Sequence, residues 1–429
     1  MSFPRYPEYR DSGVPWLGVV PAHWAVKRLK RNLHMLTERS DIRSYPVGLE
    51  NIEGWTGRFI STDTEFEGEG VAFDVGDILF GKLRPYLAKV WLAPVAGEAV
   101  GDFYVFRPTA DLDGRFAQYQ MLNREFISIV DGSTFGSRMP RASWEFVGSM
   151  QVAVPPRSEQ TFIADFLDRE TAKIDALVAE QHRLMDLLKE KRQAVISHAV
   201  TRGLNPQAPT KGSGIEWLGE IPAHWDHASL NRIASRVVVG IAEAATHAYA
   251  DEGIPILRST NIRAGRIIGD IFYVEPSFAN ERGSKRIGAG DLITVRTGNA
   301  GVTAIIPPEL DGCQCFTMLI TTLDDGSLSG YYCYWMNSLS AQCYFSLEGW
   351  GTAQINISVP ILKTLPVPIP PTEEQRAIVA HLDIETARID ALITEAHHAI
   401  DRLHERRTAL ISAAVTGRID VRSLERQSA

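Results

Sequence analysis

Asp168 with Glu170, and Asp383 with Glu385, place two carboxylates two positions apart, twice in one chain. Paired carboxylates are the raw material of general acid–base catalysis when their surroundings drive the two pKa values apart. Both pairs fall in helical patterns among other charged residues, which favours salt bridges or partner docking over proton transfer. His23 and His224 each precede a tryptophan, Trp24 and Trp225, and the expected job of such a pair is packing a domain onto a helix. His397-His398 has polar neighbours and no further ligand at metal spacing. Cys313, Cys315, Cys333 and Cys343 share one stretch; the first two are too close for a zinc-ribbon pair and no matching His/Cys pair follows. Unpaired thiols in a reducing compartment are expected. No G-x4-G-K-[ST] phosphate loop is present. No catalytic residue, metal site or cofactor is therefore assigned to the chain itself.

The elements that carry these residues are duplicated. Residues 16–24 read WLGVVPAHW and residues 217–225 read WLGEIPAHW. Residues 154–201 run from VPPRSEQ to AVISHAVT, and residues 369–416 run from IPPTEEQ to ALISAAVT, with more than half of the aligned positions identical. Shared positions include Glu159/Glu374, Gln160/Gln375, Leu167/Leu382, Asp168/Asp383, Glu170/Glu385, Ile174/Ile389, Asp175/Asp390 and Leu177/Leu392. Between these segments lie diverged regions that match weakly, at Asp77/Asp291, Asn123/Asn337, Gly136/Gly351 and Ser143/Ser358. Like parts do the same job twice; diverged parts share a fold and differ in what they recognise.

Each strong repeat reads as a long helix. The proline pairs Pro155-Pro156 and Pro370-Pro371 end an extended segment, and Ser158 is a candidate cap. Positions 167, 170, 174, 177, 181, 184, 188, 191 and 195 alternate by three and four, an imperfect heptad seam with polar entries at Glu170, Gln181 and Lys191. About 40 helical residues span roughly 60 Å. A lone amphipathic helix needs a partner, and the other copy is the obvious one. The expected fold class is thus mixed α/β, α+β heads plus long α-helices. It forms a tandem pseudo-two-fold repeat with the helices paired as an antiparallel coiled-coil spacer. The expected domains are a first head at 1–155, a central helix at 156–201, a linker at 202–214, a second head at 215–369, a second helix at 370–418 and a tail at 419–429. Within the heads, Asp77–Val90 and Asp291–Ile306 read as strand, turn, strand, and Phe116–Val130 and Tyr331–Phe345 as helices.

A net charge of −8 and a pI near 5.8 exclude a uniformly basic DNA-binding surface but leave room for local basic clefts. Met1–Tyr9 has no apolar core, so no signal peptide is expected. Gly326–Leu347 is uncharged and long enough to span a bilayer, yet its serines, Asn337 and Gln342 make it a buried helix and loop. No membrane partner and a cytoplasmic location are expected.

The two WLG-xx-P-x-HW openings, the duplicated PP-xx-EQ-x7-D-x-ET-xx-ID-x-L helices and the AVT endings together resemble the specificity subunit of type I restriction-modification systems. The resemblance covers nearly the whole chain. It implies that each diverged region is a target recognition domain reading one half of a bipartite, gapped DNA site. The helices would set the gap and dock two adenine-methyltransferase (modification) subunits, and through them restriction-translocase subunits. It also implies a non-catalytic subunit of a methyltransferase and ATP-dependent endonuclease, whose partners use S-adenosylmethionine, ATP and magnesium. The Asn/Asp-Pro-Pro-aromatic segment with which the family's methyltransferase partner holds a flipped adenine is absent here: the proline pairs are followed by Arg157, Glu309 and Thr372. The docking residues implied are Glu159, Gln160, Asp168, Glu170, Glu374, Gln375, Asp383 and Glu385. A non-catalytic protein scaffold built on the paired helices, without DNA reading, stands as the alternative.

DNA contacts are expected at the turns. In the first head Lys82 and Lys89 suit phosphates and Arg84 suits guanine, with Ser137, Arg138 and Arg141 on a glycine-containing loop. In the second, the candidates are Arg258, Asn261, Arg263, Arg296, Thr297, Asn299, Thr352, Gln354 and Asn356, asparagine and glutamine suiting adenine. A competing reading keeps the first-head loop as an ordinary surface turn, and Asn261 and Asn299 as turn caps.

Overall fold

The computed structural model describes residues 3–40, 45–64, 68–136, 138–241, 248–281, 285–351 and 354–422. Its helices are α1 Gly114–Met121, α2 Arg124–Gly132, α3 Trp144–Ser149, α4 Arg157–Arg202, α5 Pro276–Glu281, α6 Ser329–Met336, α7 Leu339–Glu348, α8 Val359–Thr364 and α9 Thr372–Val415. The chain divides into two compact units, and the division cuts across both long helices. One unit holds Met1–His182 and His397–Ala429, the other Arg183–Ala396. The expected domain borders, which gave each head its own following helix, do not coincide with this partition.

The two heads repeat one topology. In the first, an antiparallel sheet has the order Leu33–Leu36, Phe103–Pro108, Ile78–Gly81, Val90–Leu92; in the second, the order is Ala234–Val239, Leu319–Leu323, Leu292–Thr294, Thr303–Ile305. Both strand–turn–strand expectations are met by the last two strands of each sheet. Alternating Val, Ile, Leu and Phe give these strands their buried faces. A short two-stranded ladder, Ala25–Arg28 with Gln151–Val154 and Asp226–Ser229 with Pro366–Ile369, ties the start of each head to its end.

The expected linker is not plain. Thr210–Gly212 pairs with Glu220–Pro222 in the register of Tyr9–Asp11 with Val19–Pro21, Thr210 opposite Pro222 as Tyr9 is opposite Pro21. Ser12 and Ser213 both turn their N–H onto a glycine carbonyl, Gly18 and Gly219. The repeat therefore begins earlier than its tryptophan, in a Ser-Gly-Val/Ile signature that composition alone reads as a linker.

Each apolar helix stretch in the heads is broken once. The Asn123 side chain accepts from the N–H groups of Glu125 and Phe126 and starts α2 anew. In the second head Ser338 caps α7, accepting from the Ala341 N–H, while Asn337 ends α6 and reaches the Thr303 carbonyl. Side-chain caps compete with the continuous helix at these positions, and apolar periodicity does not register the competition.

Ser158 does not cap α4. The Pro156 carbonyl accepts from Glu159 and Gln160 at 2.9 and 3.0 Å, so proline precedes the first turn, where its missing N–H costs nothing. Pro371 plays the same part for α9, accepting from Gln375. Gly203 and Gly417, with φ of 72° and 74°, supply the left-handed residue just past each helix.

Core burial follows the partition. In the first unit Leu410, Ile411, Ala414 and Val415 of α9, with Ile419 and Val421, join Leu167, Phe80, Phe106 and Phe126. In the second, Ile196, Ala199 and Val200 of α4 join Trp225, Tyr331, Trp335 and Leu382. The helix seam departs from the expected heptads. Leu167, Ile174 and Leu188 are buried, but Met185 is buried in place of Leu184, and Leu177 and Leu392 are about half exposed. A straight helix drifts about 20° per heptad, so the buried stripe walks off a strict seven-residue frame. No helix among the described residues is long and apolar enough to cross a membrane.

Candidate nucleic-acid interface

In each head two loops are zipped together beside the central sheet. The first leaves the strand Ile78–Gly81. Here the Arg84 N–H donates to the Pro140 carbonyl at 2.8 Å, and the Ala142 N–H to the Lys82 carbonyl at 2.9 Å. Arg84 and Ala88 sit in the left-handed region, φ 50° and 48°, a conformation costing a non-glycine residue about 1–2 kcal/mol. In the second head the Ile357 N–H donates to the Arg296 carbonyl, and Thr297 bridges Asn356. Phe135 and Arg141 exchange backbone hydrogen bonds, and Trp350 and Asn356 do the same. One scaffold thus presents two sets of side chains.

The structure sorts the expected contact residues. Arg84 and Arg138 are exposed, with no side-chain hydrogen bond or ion pair among the described residues. Thr297, Asn299 and Gln354 also face outward. Ser137 and Thr352 lie outside the described residues. Arg141 instead forms a two-pronged pair with Asp102 at 3.1 and 2.9 Å, which holds its guanidinium above its ordinary pKa. Lys82 stands 3.9 Å from Asp102 and over the Tyr104 ring. Arg296 donates to the Asn356 side chain at 3.0 Å. These three cations are preoriented by neighbours.

Four of the expected contact residues are engaged within the fold instead. Lys89 donates to the Leu49 carbonyl at 2.6 Å, and burial lowers its pKa, so its ammonium serves the fold rather than a phosphate. Asn261 is buried: its oxygen accepts from the Arg258 N–H, and its amide donates to the Ile268 and Asp270 carbonyls. The turn-cap reading therefore holds for Asn261. Arg258 lies flat over the Phe272 ring, 3.9 Å from its centroid. Arg263 is exposed but folds back onto the Thr260 and Ile262 carbonyls.

Asn51 makes the Asn261 pattern in the first head, accepting from the Gly48 N–H and donating to the Ile60 carbonyl and the Thr62 hydroxyl. Each asparagine opens a small hairpin, Ile52 bridging Phe59 and Ile262 pairing with Ile267. This repeat was overlooked in the sequence, although its Asn-Ile…Gly-Arg-x-Ile signature is legible there.

The hairpins reach the long helices. In the first unit Arg407, almost wholly buried, donates to Asp175 at 2.5 Å and to the Thr56 carbonyl, and Arg58 lies 3.8 Å from Asp175. In the second, Arg192 pairs with Asp390 at 3.3 Å, and both line a cleft with Ala264, Gly265 and Arg266. Asp175 to Asp390 and Arg192 to Arg407 are both steps of 215 residues. The duplicated aspartate thus meets the duplicated arginine twice.

Several of the expected docking residues are engaged within the chain. Glu159 is buried and accepts from the Tyr6 hydroxyl and from Trp24 Nε1 at 3.0 Å, with His23 Nε2 at 2.9 Å. Burial first, then the Glu159 carboxylate, pushes the Tyr6 phenol far above its ordinary pKa, so it remains a donor. Glu374 takes the same place with His224 at 2.6 Å and Trp225 at 2.8 Å. The histidine–tryptophan openings therefore lock heads to helices, as expected of them. Gln160 and Gln375 are buried as well, holding the Asp113 N–H and the Leu328 N–H. Asp168 pairs with Arg115 and accepts from Tyr119; Asp383 accepts from Tyr334; Glu170 pairs with Lys173; Glu385 is half-buried. The exposed large apolar residues of the helices are others: Phe162, Leu177, Leu184 and Leu187 on α4, Ile384 and Leu392 on α9. No group of three or more potential metal ligands occurs among the described residues.

Two α/β heads of one topology, carried on duplicated long helices that lock to them by the same tryptophan–glutamate bond, define a tandem-repeat recognition fold. Residues 245–400 match the family model for the type I restriction modification DNA specificity domain. The chain is 24% identical over 314 residues to the type I restriction enzyme EcoKI specificity subunit of Escherichia coli K12, covering 71% of this chain and 64% of that protein. The EcoBI subunit of Escherichia coli is 20% identical over 303 residues, again covering 64% of its length, so the chain matches less than two thirds of either relative. The MjaVIII subunit of Methanocaldococcus jannaschii is 22% identical, covering 82% of this chain and 78% of that one. A subunit from a structural study of complex assembly in the type I R-M system superposes with a TM-score of 0.73 at 18% identity, covering 92% of this chain and 98% of the other. The HsdS subunit of Thermoanaerobacter tengcongensis gives 0.52 at 18% identity, covering 93% and 98%. These solved structures share the fold, including the tandem repeat and its paired helices. Residues 245–400 thus match the specificity-domain family, and over most of its length the chain is similar to type I restriction enzyme specificity subunits.

Proposed function

We propose that this chain is the DNA sequence-specificity subunit of a type I restriction-modification complex, each head reading one half of a gapped site. One observation carries the reading. The two heads repeat the same zipped loop pair at equivalent positions and fill it with different side chains, while the long helices keep more than half of their residues identical. A surface that reads two different half-sites needs a fixed frame and variable contents. Arg84 and Arg138 supply phosphate or guanine contacts; Gln354 and Thr297 supply hydrogen-bonding groups in the other head. The chain does no chemistry of its own in this reading. Methylating a base requires taking it out of the stack, and that pocket belongs to the methyltransferase partner.

The partners proposed are duplex DNA, two modification subunits and, through them, restriction subunits, in the cytoplasm. S-adenosylmethionine, ATP and magnesium belong to those partners. Leu177 and Leu392, identical residues half exposed at equivalent helix positions, support docking of two copies of one partner.

Adenine-methylation sequencing of the host with this gene intact and deleted tests the proposal. Loss of one gapped, asymmetric methylated motif is expected on deletion. An unchanged methylome in a host whose partner subunits are expressed and active would refute it.

A further inference from the structure

We propose that Phe135 and Trp350 are the aromatic wedges of the two heads, each ring pressing against the base pairs of the half-site that its own head reads. The assignment rests on the DNA-reading function proposed above.

The two residues stand at one position of the repeated frame. Phe135 faces Arg141 across a pair of backbone hydrogen bonds of 3.4 and 3.2 Å; Trp350 faces Asn356 across bonds of 3.2 and 2.9 Å. Each is followed by a left-handed glycine, Gly136 at φ 95° and Gly351 at φ 119°. A Cβ on Gly351 would fall 2.2 Å from the Gln354 carbonyl oxygen, and one on Gly136 would fall 3.3 Å from that of Met139. The backbone just after each ring therefore favours glycine. Through Arg141 and Asn356 the turns are also bridged to Leu83 and Thr297, in the loops that leave the central strands.

The rings are not core. Phe135 is 64% exposed and Trp350 58%, while no other aromatic among the described residues exceeds the 45% of Tyr86. Leaving such area in water forgoes stabilisation of about 25 cal/mol per Å². What stands beside Phe135 is the chemistry of a nucleic-acid contact: the unpaired guanidiniums of Arg84 and Arg138, with Tyr86 and Met139 also exposed. Aromatic and apolar side chains among arginines are the groups that stack on bases or wedge between base steps.

Duplex DNA is favoured over a protein partner by a contrast within the chain. A partner that docks twice meets the same residue twice, as at Leu177 and Leu392. The wedge position keeps an aromatic ring but changes its identity, as two different half-sites require.

The test uses the full chain assembled with its modification subunits and duplexes carrying its own motif, with either half-site scrambled in turn. Phe135→Ala is expected to lower specific affinity roughly 5- to 150-fold, the worth of one aromatic–base contact, and to erase discrimination at one half-site. Trp350→Ala is expected to do so at the other, and Phe135→Trp and Trp350→Phe to retain most of the binding. Variants that assemble and bind like wild type would overturn the assignment. So would variants that fail to assemble yet bind normally once driven together, because the rings would then be protein contacts. A wild-type complex with no preference for its motif would overturn the reading beneath the assignment, and the assignment with it.

Discussion

At the scale of single residues, type alone does not separate a DNA contact from a structural bond. Asn261 and Gln354 both suit adenine, but Asn261 has spent its amide on three backbone groups, and Gln354 faces outward. Asn261→Ala is therefore expected to remove a partner from the Arg258 N–H and from the Ile268 and Asp270 carbonyls, and to lower stability by about 1–3 kcal/mol. Arg84→Ala and Arg138→Ala should leave the melting temperature unchanged. Each should instead reduce the slope of log affinity against log salt by about 0.9, the share of one phosphate contact. Melting curves and salt titrations of the three variants in the assembled complex check this. A salt slope unchanged in both arginine variants would remove them from the interface. The sequence could not make these distinctions because they depend on who sits nearby. Lys89 lost its candidacy to the Leu49 carbonyl, 40 residues away, and Arg141 is held by Asp102, 39 away. Asn51 and Asn261 were open to detection, since both stand before isoleucine and ahead of a Gly-Arg pair, but the diverged surroundings hid the match.

At the scale of elements, the sequence showed the long helices plainly and their joints only in part. Proline pairs, glycine stops and apolar spacing are local, and they set the bounds of α4 and α9 to within three residues. The heptad frame, extended over more than 40 residues, predicted burial of Leu177 and Leu184 where helix drift leaves them exposed. The resemblance implies docking roles for Glu159 and Glu374, and a charged residue on a helix is usually solvated; tertiary packing turns them onto tryptophan and histidine instead. The two copies of this lock are not equal. The Glu159 side chain is 5% exposed and that of Glu374 40%. Glu159→Ala strands the buried donors of Tyr6 and Trp24 and should cost about 3 kcal/mol. Glu374→Ala lets water replace the carboxylate and should cost under about 1 kcal/mol. Thermal unfolding of the two full-length variants compares them directly, and equal losses would contradict the inequality read from burial.

At the scale of the whole molecule, duplication explains why the same residue is asked to do the same work twice. Asp175 and Asp390 each meet an arginine that is the other's image, and Trp24 and Trp225 each bond a first-turn glutamate. Leu177 and Leu392 obey the same rule and stand 50% and 48% exposed, alongside Leu184, Leu187 and Ile384 on the same helices. An apolar side chain kept in both copies and left in water is a contact waiting for something that binds twice. Under the proposed function that something is the pair of modification subunits. Leu177→Asp removes one contact and Leu392→Asp the other, and neither disturbs a buried group, so the isolated variants should melt as wild type. Each single variant should lower the affinity for one modification subunit by roughly tenfold or more, since placing a carboxylate in an apolar contact costs about 1–3 kcal/mol or more. The double variant should fail to assemble. Sedimentation of the reconstituted complex distinguishes the stoichiometries: one bound modification subunit for each single variant, none for the double. Full assembly by the double variant would place docking on another face of the helices. Loss of both subunits in either single variant would show that the two copies bind each other as well as the chain.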